Sequence, residues 1–199
     1  MKASGAAVRE RDAPSGHDRR ILGIVVEILE ADGYEGVQLR EVARRARTSL
    51  ATIYKHYANR DELILAALQL WLDENRYAGL AEQTPVAGES LYDGQMRLLR
   101  TIFEPWEQHP AMLKAYFRAR AAPGGEQLVQ RGLDAVIPAF GEVLAEVGEG
   151  FVADLEVIVT NVVYGLLGRF AAGEIAITDI LPGLERTVYW LTRGYEAQR

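Results

Sequence analysis

The chain has no cysteine, and this absence excludes two kinds of site. Neither a disulfide framework nor a thiolate metal centre can be built without it. No apolar run approaches the ~18 residues that a membrane-spanning helix needs, and the first residues lack the apolar core of a signal peptide. With 49% apolar and 25% charged residues, the composition is that of a soluble globular protein. We therefore expect a cytoplasmic protein with no membrane partner and no metal site.

Signals for catalysis and for β-structure are also scarce. The three histidines, His17, His56 and His109, are far apart and match no H-E-x-x-H pattern. There is no G-x-S-x-G nucleophile motif and no phosphate-binding P-loop. No alternating apolar pattern and no Asn-Gly hairpin predicts a strand. The sequence thus predicts an all-α protein without a cofactor, and nothing in it argues for an enzyme.

Positive charge is concentrated in the first part of the chain, although the whole carries a net charge of -6. Residues 1–60 contain 11 Lys and Arg against 8 Asp and Glu, whereas residues 61–199 contain 11 against 20. A nucleic acid would attract the first part and repel the second. This distribution predicts that the N-terminal part makes any contact with DNA.

A helix-turn-helix is predicted at the centre of this basic region. In Leu39–Ala46 apolar residues recur at helical spacing, so one face of this helix is expected to be buried. A turn follows at residues 47–48, and Ser49 is a good N-cap for a second helix, Leu50–Tyr57. Six cations and one anion lie between residues 40 and 60. A compact helix-turn-helix with excess positive charge is typical of a DNA-docking element.

The second helix has the pattern of a recognition helix. Ile53 and Tyr57 are four residues apart and are expected to face the core. On the opposite face Ala51 is small enough for the backbone to approach base edges, and the methyl of Thr52 can meet a thymine methyl. Contacts with phosphate oxygens set the register and supply salt-dependent affinity. Three side chains of this helix can make them: Tyr54, Lys55 and His56.

Residues 18–72 resemble the DNA-binding domain of the TetR family of bacterial one-component regulators. The similarity is carried by T-S-L-A-T-I-Y-K-H-Y at residues 48–57 and by R-D-E-L at residues 60–63, after an upstream helix that ends at Gly33. Two positions depart from the family pattern. Arg47 stands where a turn glycine is usual, and a non-Gly residue with positive φ is strained. Gln38 stands where Ser or Thr often caps the helix.

The resemblance and the helix pattern together give a set of residues expected to contact DNA. Arg47 can add a phosphate contact in place of the glycine, and Gln38 can donate to a phosphate. The full set is Gln38, Arg47, Thr48, Ser49, Ala51, Thr52, Tyr54, Lys55, His56 and Arg60.

The chain is predicted to divide into three parts. Residues 1–17 have no periodicity and are expected to form a mobile arm. Residues 18–76 are expected to form a three-helix DNA-binding domain, and residues 77–199 a larger helical domain for effector binding and dimerisation. Outside the helix-turn-helix, helices are predicted at 19–32, 60–82, 90–108, 110–122, 126–147 with a kink or break at Pro138, 151–172 and 177–197.

The last two predicted helices are apolar on more than one side. Residues 157–172 are too hydrophobic for an ordinary surface helix, and Gly165 and Gly168 permit close approach of another backbone. A large internal core explains this pattern, and so does a four-helix interface between two copies of the chain. The resemblance favours the second explanation, since TetR regulators dimerise through their last two long helices. We therefore expect a homodimer.

Aromatic residues are concentrated in the second domain, with 14 of 17 after residue 60. They can serve as core filling, but their number also suits a mostly apolar cavity with a few polar anchors. The resemblance implies a small-molecule inducer, and this composition favours a hydrophobic one, of acyl, aromatic or steroid-like type. Asn161 is expected to be buried and to need a partner. The candidate set is Trp71, Tyr92, Met96, Arg100, Phe103, Trp106, Tyr116, Phe117, Phe140, Asn161 and Tyr164.

The sequence thus favours a repressor that binds operator DNA and is released by a hydrophobic small molecule. Three alternatives stay open at this point: a transcriptional activator of the same family, a regulator that responds to a protein or to no ligand, and a helical adaptor whose basic region binds an acidic protein. Operator, effector identity and regulated genes are not encoded in any motif of the chain.

Overall fold

The structure, a computed structural model, describes residues 15–80, 82–84 and 86–198. These residues form nine α-helices and no strand, which confirms the predicted all-α class. Residues 1–14, which make up most of the predicted arm, lie outside the described residues. The helices are α1 Gly16–Gly36, α2 Leu39–Ala46, α3 Leu50–His56, α4 Arg60–Leu72, α5 Leu91–Gln108, α6 Pro110–Ala119, α7 Glu126–Val143, α8 Glu149–Ala171 and α9 Ile180–Glu196.

Helices α1 to α3 pack around one small core, because each has an apolar stripe at helical spacing. Ile21, Val25, Val42 and Ile53 are fully buried. Helix α1 departs from helical geometry at Gly33, where φ is 71°, as the predicted break required. Only glycine takes this conformation without strain, so the chain turns here toward α2.

Helix α4 is shorter than the sequence predicts. It ends at Leu72 and continues as a π-helical turn, Asp73–Tyr77, so the prediction of one helix over 60–82 is wrong in its second half. A π turn is wider than an α turn. Here it places two consecutive side chains, Arg76 and Tyr77, in the interior. A regular surface helix would not bury such neighbours on one narrow face.

Helices α5 to α9 form the body of the protein. Helix α5 packs against α9, α8 packs against α9 and α6, and α6 lies along α1 of the N-terminal part. Helix α7 continues through Pro138 without the predicted break. Pro138 is exposed, so water can satisfy the carbonyl that loses its helical partner.

Helix α8 is unusually apolar for its exposure. By length and composition alone it could cross a membrane, a possibility that the sequence analysis did not foresee, and only 11% of its most apolar window is buried. Val157 is 62% exposed and Ile158 is 40% exposed. The neighbouring α9 exposes Trp190 to 70%. Both C-terminal helices therefore present apolar side chains outside the core of the single chain.

Candidate DNA interface and effector region

Helix α3 is fixed in the N-terminal domain by its cap and by two buried side chains. Ser49 Oγ accepts a hydrogen bond from Thr52 N at 3.0 Å and lies 2.9 Å from Thr52 Oγ1. Ile53 is fully buried and Tyr57 is 6% exposed, as predicted. One face of α3 is therefore committed to the core, and the opposite face is directed outward.

The outward surface of α3 and its preceding turn contains most of the residues predicted to contact DNA. Tyr54 is 54% exposed although it is a large aromatic residue. Tyr54 is therefore not part of the hydrophobic core. Gln38 caps α2 without a side-chain hydrogen bond, so its amide is available to a partner. The exposed members of the set are Gln38, Arg47, Ser49, Ala51, Tyr54, Lys55 and His56, and Thr48 and Thr52 are half-buried beside them.

Arg47 has a strained backbone. Its φ of 51° and ψ of 46° lie in the left-handed region, and its N–H donates to the last carbonyls of α2. Among the described residues it is the one non-glycine with a positive φ. The turn therefore keeps the geometry that glycine normally supplies, and it places a cation next to α3.

Glu41 partly neutralises the basic surface of α2. Its carboxylate accepts hydrogen bonds from Arg44 Nε at 2.8 Å and from Arg45 Nε at 2.6 Å. These two bonds lower the pKa of Glu41 to about 2. Arg44 and Arg45 thus share an anion within their own helix, while Arg40 is exposed.

Arg60, which is predicted to contact DNA, also makes contacts inside the N-terminal domain. Its Nε donates to the backbone carbonyl of Val37 at 2.6 Å, and its Nη2 donates to the carbonyl of Tyr34. The guanidinium also lies 5.0 Å from the centre of the Tyr34 ring. Arg60 therefore joins the start of α4 to the end of α1 and to Val37, and its Nε and Nη2 are engaged within the domain.

His56 faces both the surface and α1. Its Nδ1 lies 3.4 Å from Asp18 Oδ1, and Asp18 stands in the first turn of α1. The two side chains therefore meet where the end of α3 lies close to the start of α1. The His56 side chain is 40% exposed, so its imidazole is accessible from outside.

The predicted effector residues do not form one set in the structure. Several of them do meet in the body: the Trp71 and Trp106 rings lie 5.0 Å apart, and Trp106 lies 5.5 Å from Tyr116. Phe103 and Met96 are buried in the same core. This group is called the aromatic cluster below, and its members are Trp71, Phe103, Trp106 and Tyr116.

Four of the other predicted effector residues lie outside the aromatic cluster. Tyr92 is half-buried and donates to Glu185 Oε1 of α9 at 2.8 Å, and Arg100 is exposed. The expectation that Asn161 is buried is wrong. It is exposed on α8, and its Nδ2 donates to the carbonyl of Val157 at 2.7 Å. Phe140 of α7 is half-buried at the edge of the core.

Sequence reasoning missed a buried arginine beside the aromatic cluster. Arg76 is 8% exposed and its Nε donates to the carbonyl of Ile102 at 3.2 Å. Its guanidinium lies 5.2–5.4 Å from the ring centres of Tyr77, Phe103 and Trp106. No sequence signal marks this residue, because arginine in a helix pattern is normally interpreted as a surface residue.

An open groove lies where the N-terminal part meets the body. Its volume is about 590 Å³, and it is formed by the end of α1, by α6 and by α8. Phe117 lines it, together with Tyr34, Lys114 and Gly168. We call it the junction groove. Among the predicted effector residues, Phe117 is the one that lines it.

Contacts between α1 and α6 connect the two parts of the protein around this groove. Arg118 of α6 forms an ion pair with Glu35 and lies 4.9 Å from the centre of the Tyr34 ring. At the other end of α6, His109 Nδ1 lies 2.6 Å from Glu30 Oε1. These contacts connect both ends of α6 to α1 of the domain that carries α3.

Comparison with known proteins assigns this architecture. Residues 88–191, more than half of the chain, match the sequence model described as "Tetracyclin repressor-like, C-terminal domain". Residues 25–67 match the model described as "Bacterial regulatory proteins, tetR family". The chain belongs to the TetR family. TetR regulators bind operator DNA as dimers, and they act by binding rather than by catalysis.

Curated relatives are also transcriptional regulators. The chain is 28% identical to the "HTH-type transcriptional repressor KstR" of Mycolicibacterium smegmatis over 112 residues, 54% of each protein. It is 27% identical to KstR of Mycobacterium tuberculosis over 132 residues, 63% of this chain and 59% of that one. It is 29% identical to the uncharacterised regulator YvkB of Bacillus subtilis over 104 residues, 52% of each. The chain thus spans just over half the length of these relatives.

Solved TetR structures have the same fold over nearly the whole chain. A TetR regulator from Rhodococcus sp. RHA1 covers 90% of this chain and 97% of its own length with a TM-score of 0.66, at 18% identity. A TetR-family regulator from Streptomyces coelicolor covers 90% and 96% with a TM-score of 0.57, at 25% identity. At 18% identity, the similarity to the Rhodococcus structure shows a shared fold alone.

Proposed function

We propose that this TetR-family protein is a homodimeric repressor that a small hydrophobic molecule releases from its operator. Residues 18–76 form its DNA-binding domain, and residues 77–199 form the domain for effector binding and dimerisation. A protein that reads operator DNA works in the cytoplasm. The observation that carries the proposal is the exposed face of α3, which has Lys55 on the helix and Arg47 in the preceding turn and is fixed by its cap and by two buried side chains.

The surface around α3 has the chemistry that duplex DNA requires. Lys55 and Arg47 supply positive charge for phosphate oxygens, and Tyr54 carries an exposed hydroxyl. Ala51 and Thr52 leave room for the helix backbone in the major groove, where a threonine methyl can contact thymine. The base-edge contacts are therefore assigned to the first turn of α3, and the phosphate contacts to its last turn and to the preceding turn.

The exposed apolar surface of α8 and α9 supports the homodimer. Val157, Ile158 and Trp190 are exposed by 40–70% in the single chain, and an apolar patch of this kind marks an interface. A dimer buries them and explains why α8 is more apolar than its exposure permits. Two-fold symmetry then presents two α3 helices to successive half-sites, about 34–36 Å apart on one face of the DNA.

The contacts of α6 with α1 support a ligand-driven switch. An effector that binds better to a state with a displaced α6 shifts the population toward that state. Glu35 and Tyr34 of α1 contact Arg118 of α6, so displacement of α6 moves the DNA-binding domain. The two α3 helices then lose the spacing of the operator half-sites, and the affinity for DNA falls. By the same coupling, bound DNA lowers the affinity for the effector.

Fluorescence anisotropy tests this function directly. The protein is titrated onto duplexes from the DNA beside its own gene and onto random duplex at ~150 mM salt, since affinity for DNA depends steeply on salt. We expect specific binding well above the random control, and loss of that binding when an effector is added. Equal weak binding to both duplexes would contradict the regulator assignment at this DNA, and an acidic protein partner would then be the better candidate.

A second measurement separates repression from activation. A reporter gene under the bound promoter is compared in cells with and without the protein. Higher expression without the protein supports the repressor. Lower expression without it would assign the activator of the same family.

A further inference from the structure

Arg76 is a buried cation without an anionic partner. It is 8% exposed, and within the described residues no carboxylate lies within ion-pairing distance of its guanidinium. Its hydrogen-bond partners are a backbone carbonyl, that of Ile102, and the Tyr77 hydroxyl at 3.3 Å. Buried charges in proteins are normally paired, because an unpaired one loses its hydration without compensation. Cation–π contacts with three rings stabilise the ion only in part.

Other polar groups around Arg76 are also donors. Trp106 Nε1 is fully buried and has no acceptor among the described residues. Arg120, the residue that follows α6, is half-buried. Its guanidinium lies 4.2 Å from the centre of the Tyr164 ring and 5.2 Å from that of Phe117. No carboxylate of the described chain pairs with Arg120 either. Tyr116 connects the two arginines: its ring lies 5.5 Å from that of Trp106, the ring beside Arg76, and its carbonyl accepts from Arg120 N at 2.9 Å.

The backbone that carries Arg76 is itself unusual. Arg76 and Tyr77 belong to the π-helical turn that follows α4. Such turns are rare, and they occur often at functional sites because they redirect side chains. This turn packs against α5 and places Arg76 beside Ile102 and Trp106 of that helix. A chain that needed only a packed core at this point would be more stable with an apolar residue than with a desolvated arginine.

We propose that Arg76 and Arg120 bind the carboxylate head of an amphipathic organic acid, with Trp106 Nε1 as an additional donor. The inference rests on the proposed ligand-responsive function and gives its effector a chemical class. Arginine presents a planar fork that matches a carboxylate with two parallel hydrogen bonds. The rings of the aromatic cluster provide the surroundings for an apolar chain, and a carboxylate would supply the acceptor that these donors lack.

The junction groove lies next to Arg120. Phe117 lines the groove, and the centre of its ring lies 5.2 Å from the Arg120 guanidinium, so Arg120 stands behind one wall of the groove. A volume of about 590 Å³ is within the usual range for a site that holds a small organic ligand. Because the groove is also lined by Gly33 and Tyr34 of α1, an acid that enters here contacts the domain that carries α3.

Isothermal titration calorimetry tests the proposal with straight-chain probes. The full-length protein is titrated with the even-numbered acids from hexanoate to hexadecanoate and with the alcohols of the same lengths, each below its critical micelle concentration. We expect at least one acid to bind about 10- to 100-fold more tightly than its alcohol, as a charge-assisted hydrogen-bond pair provides. If every acid binds no more tightly than its alcohol, or if no probe binds, the proposal is wrong.

Three variants and a matched control locate the head group. Arg76→Gln and Arg120→Gln should each remove most of the preference for the acid and leave the affinity for the alcohol unchanged. Trp106→Phe keeps the ring and removes the donor, and it should reduce the preference by a smaller factor. Arg20→Gln, at an exposed arginine of α1, should have no effect. If Arg76→Gln fails to fold, Arg120→Gln and Trp106→Phe decide, and an undiminished preference in both would refute the assignment.

The DNA assay separates this inference from the proposed function. An acid that binds through Arg76 and Arg120 but leaves operator affinity unchanged supports the anion site and contradicts release by ligand. Release of DNA by an alcohol as effectively as by its acid supports the switch and contradicts the anion site.

Discussion

Replacing Arg47 with glycine should stabilise the protein, although it removes a side chain. Arg47 has φ 51° and ψ 46° between α2 and α3. For an L-residue this conformation costs roughly 1–2 kcal/mol, and glycine adopts it freely. Glycine also gives the unfolded chain more freedom, which offsets about 0.4–1 kcal/mol of the gain. Arg47→Gly should therefore be more stable by about 0.5–1 kcal/mol.

Urea unfolding followed by far-UV circular dichroism measures this difference. For a chain of this length the gain corresponds to a rise in Tm of about 1–4 °C, and all samples need the same protein concentration because a dimer is stabilised by mass action. Arg47→Ala is the matched control, since it removes the same charge and keeps the strained Cβ. If Arg47→Gly is no more stable than Arg47→Ala, the left-handed geometry of the turn is not the source of the strain.

The same pair of variants separates charge from shape at the DNA surface. Both lack one cation, so both should lower the slope of log affinity against log salt by about 1. Equal losses of operator affinity would show that Arg47 acts as a phosphate-facing charge. A much larger loss in the glycine variant would contradict this, because the turn would then need a side chain to hold α3 in place.

Four further outcomes are expected. Arg60→Gln should destabilise the fold by about 1–3 kcal/mol in urea unfolding, since the carbonyls of Val37 and Tyr34 lose a charged donor. An unchanged slope of log affinity against log salt in anisotropy would show that Arg60 makes no phosphate contact. Lys55→Ala should lower the slope of log affinity against log salt by about 1, and Tyr54→Phe should weaken operator binding. Both variants should stay folded. Full affinity in both would show that α3 is not the recognition helix. Burial and the hydrogen bond to Asp61 raise the pKa of Tyr34 from 10 to about 12. The protonated phenol therefore contributes folding stability that is complete below pH 10 and is lost as pH rises toward 12. A Tyr34→Phe variant with the same dependence of stability on alkaline pH would refute this. Val157→Asp should shift the dimer to monomer in sedimentation experiments, whereas Val86→Asp, at a loop position exposed by 57%, should not; a dimeric Val157→Asp would place the interface elsewhere.

The sequence predicted the N-terminal domain more accurately than the body, for a physical reason. Local signals determine α2 and α3: an apolar stripe, a capping serine and a break at Gly33 all act within a few residues. The bounds of α2 and the cap at Ser49 were therefore predicted correctly. The internal hydrogen bonds of Arg60 were not predicted, because their acceptors, the carbonyls of Val37 and Tyr34, are more than 20 residues away along the chain.

In the body, the same pattern has more than one explanation. The apolar run of α8 predicts burial, but hydropathy cannot distinguish a core from a partner surface, so Asn161 was assigned to the interior and lies outside. Arg76 shows the opposite error. A charged residue in a helical pattern is expected at the surface, and only the π turn, which has no sequence signature, brings it into the aromatic cluster.

The ion pairs of Glu41 have a consequence for how quickly the protein can find its target. Arg44 and Arg45 each donate to this carboxylate, so α2 offers fewer free cations than its sequence contains. Non-specific attraction to the chromosome grows with each phosphate neutralised, and a protein held too firmly at random positions moves slowly along the duplex. An internal counter-ion weakens that retention without touching α3. We therefore expect Glu41 to shorten each stay on random DNA and to leave the final recognition step intact.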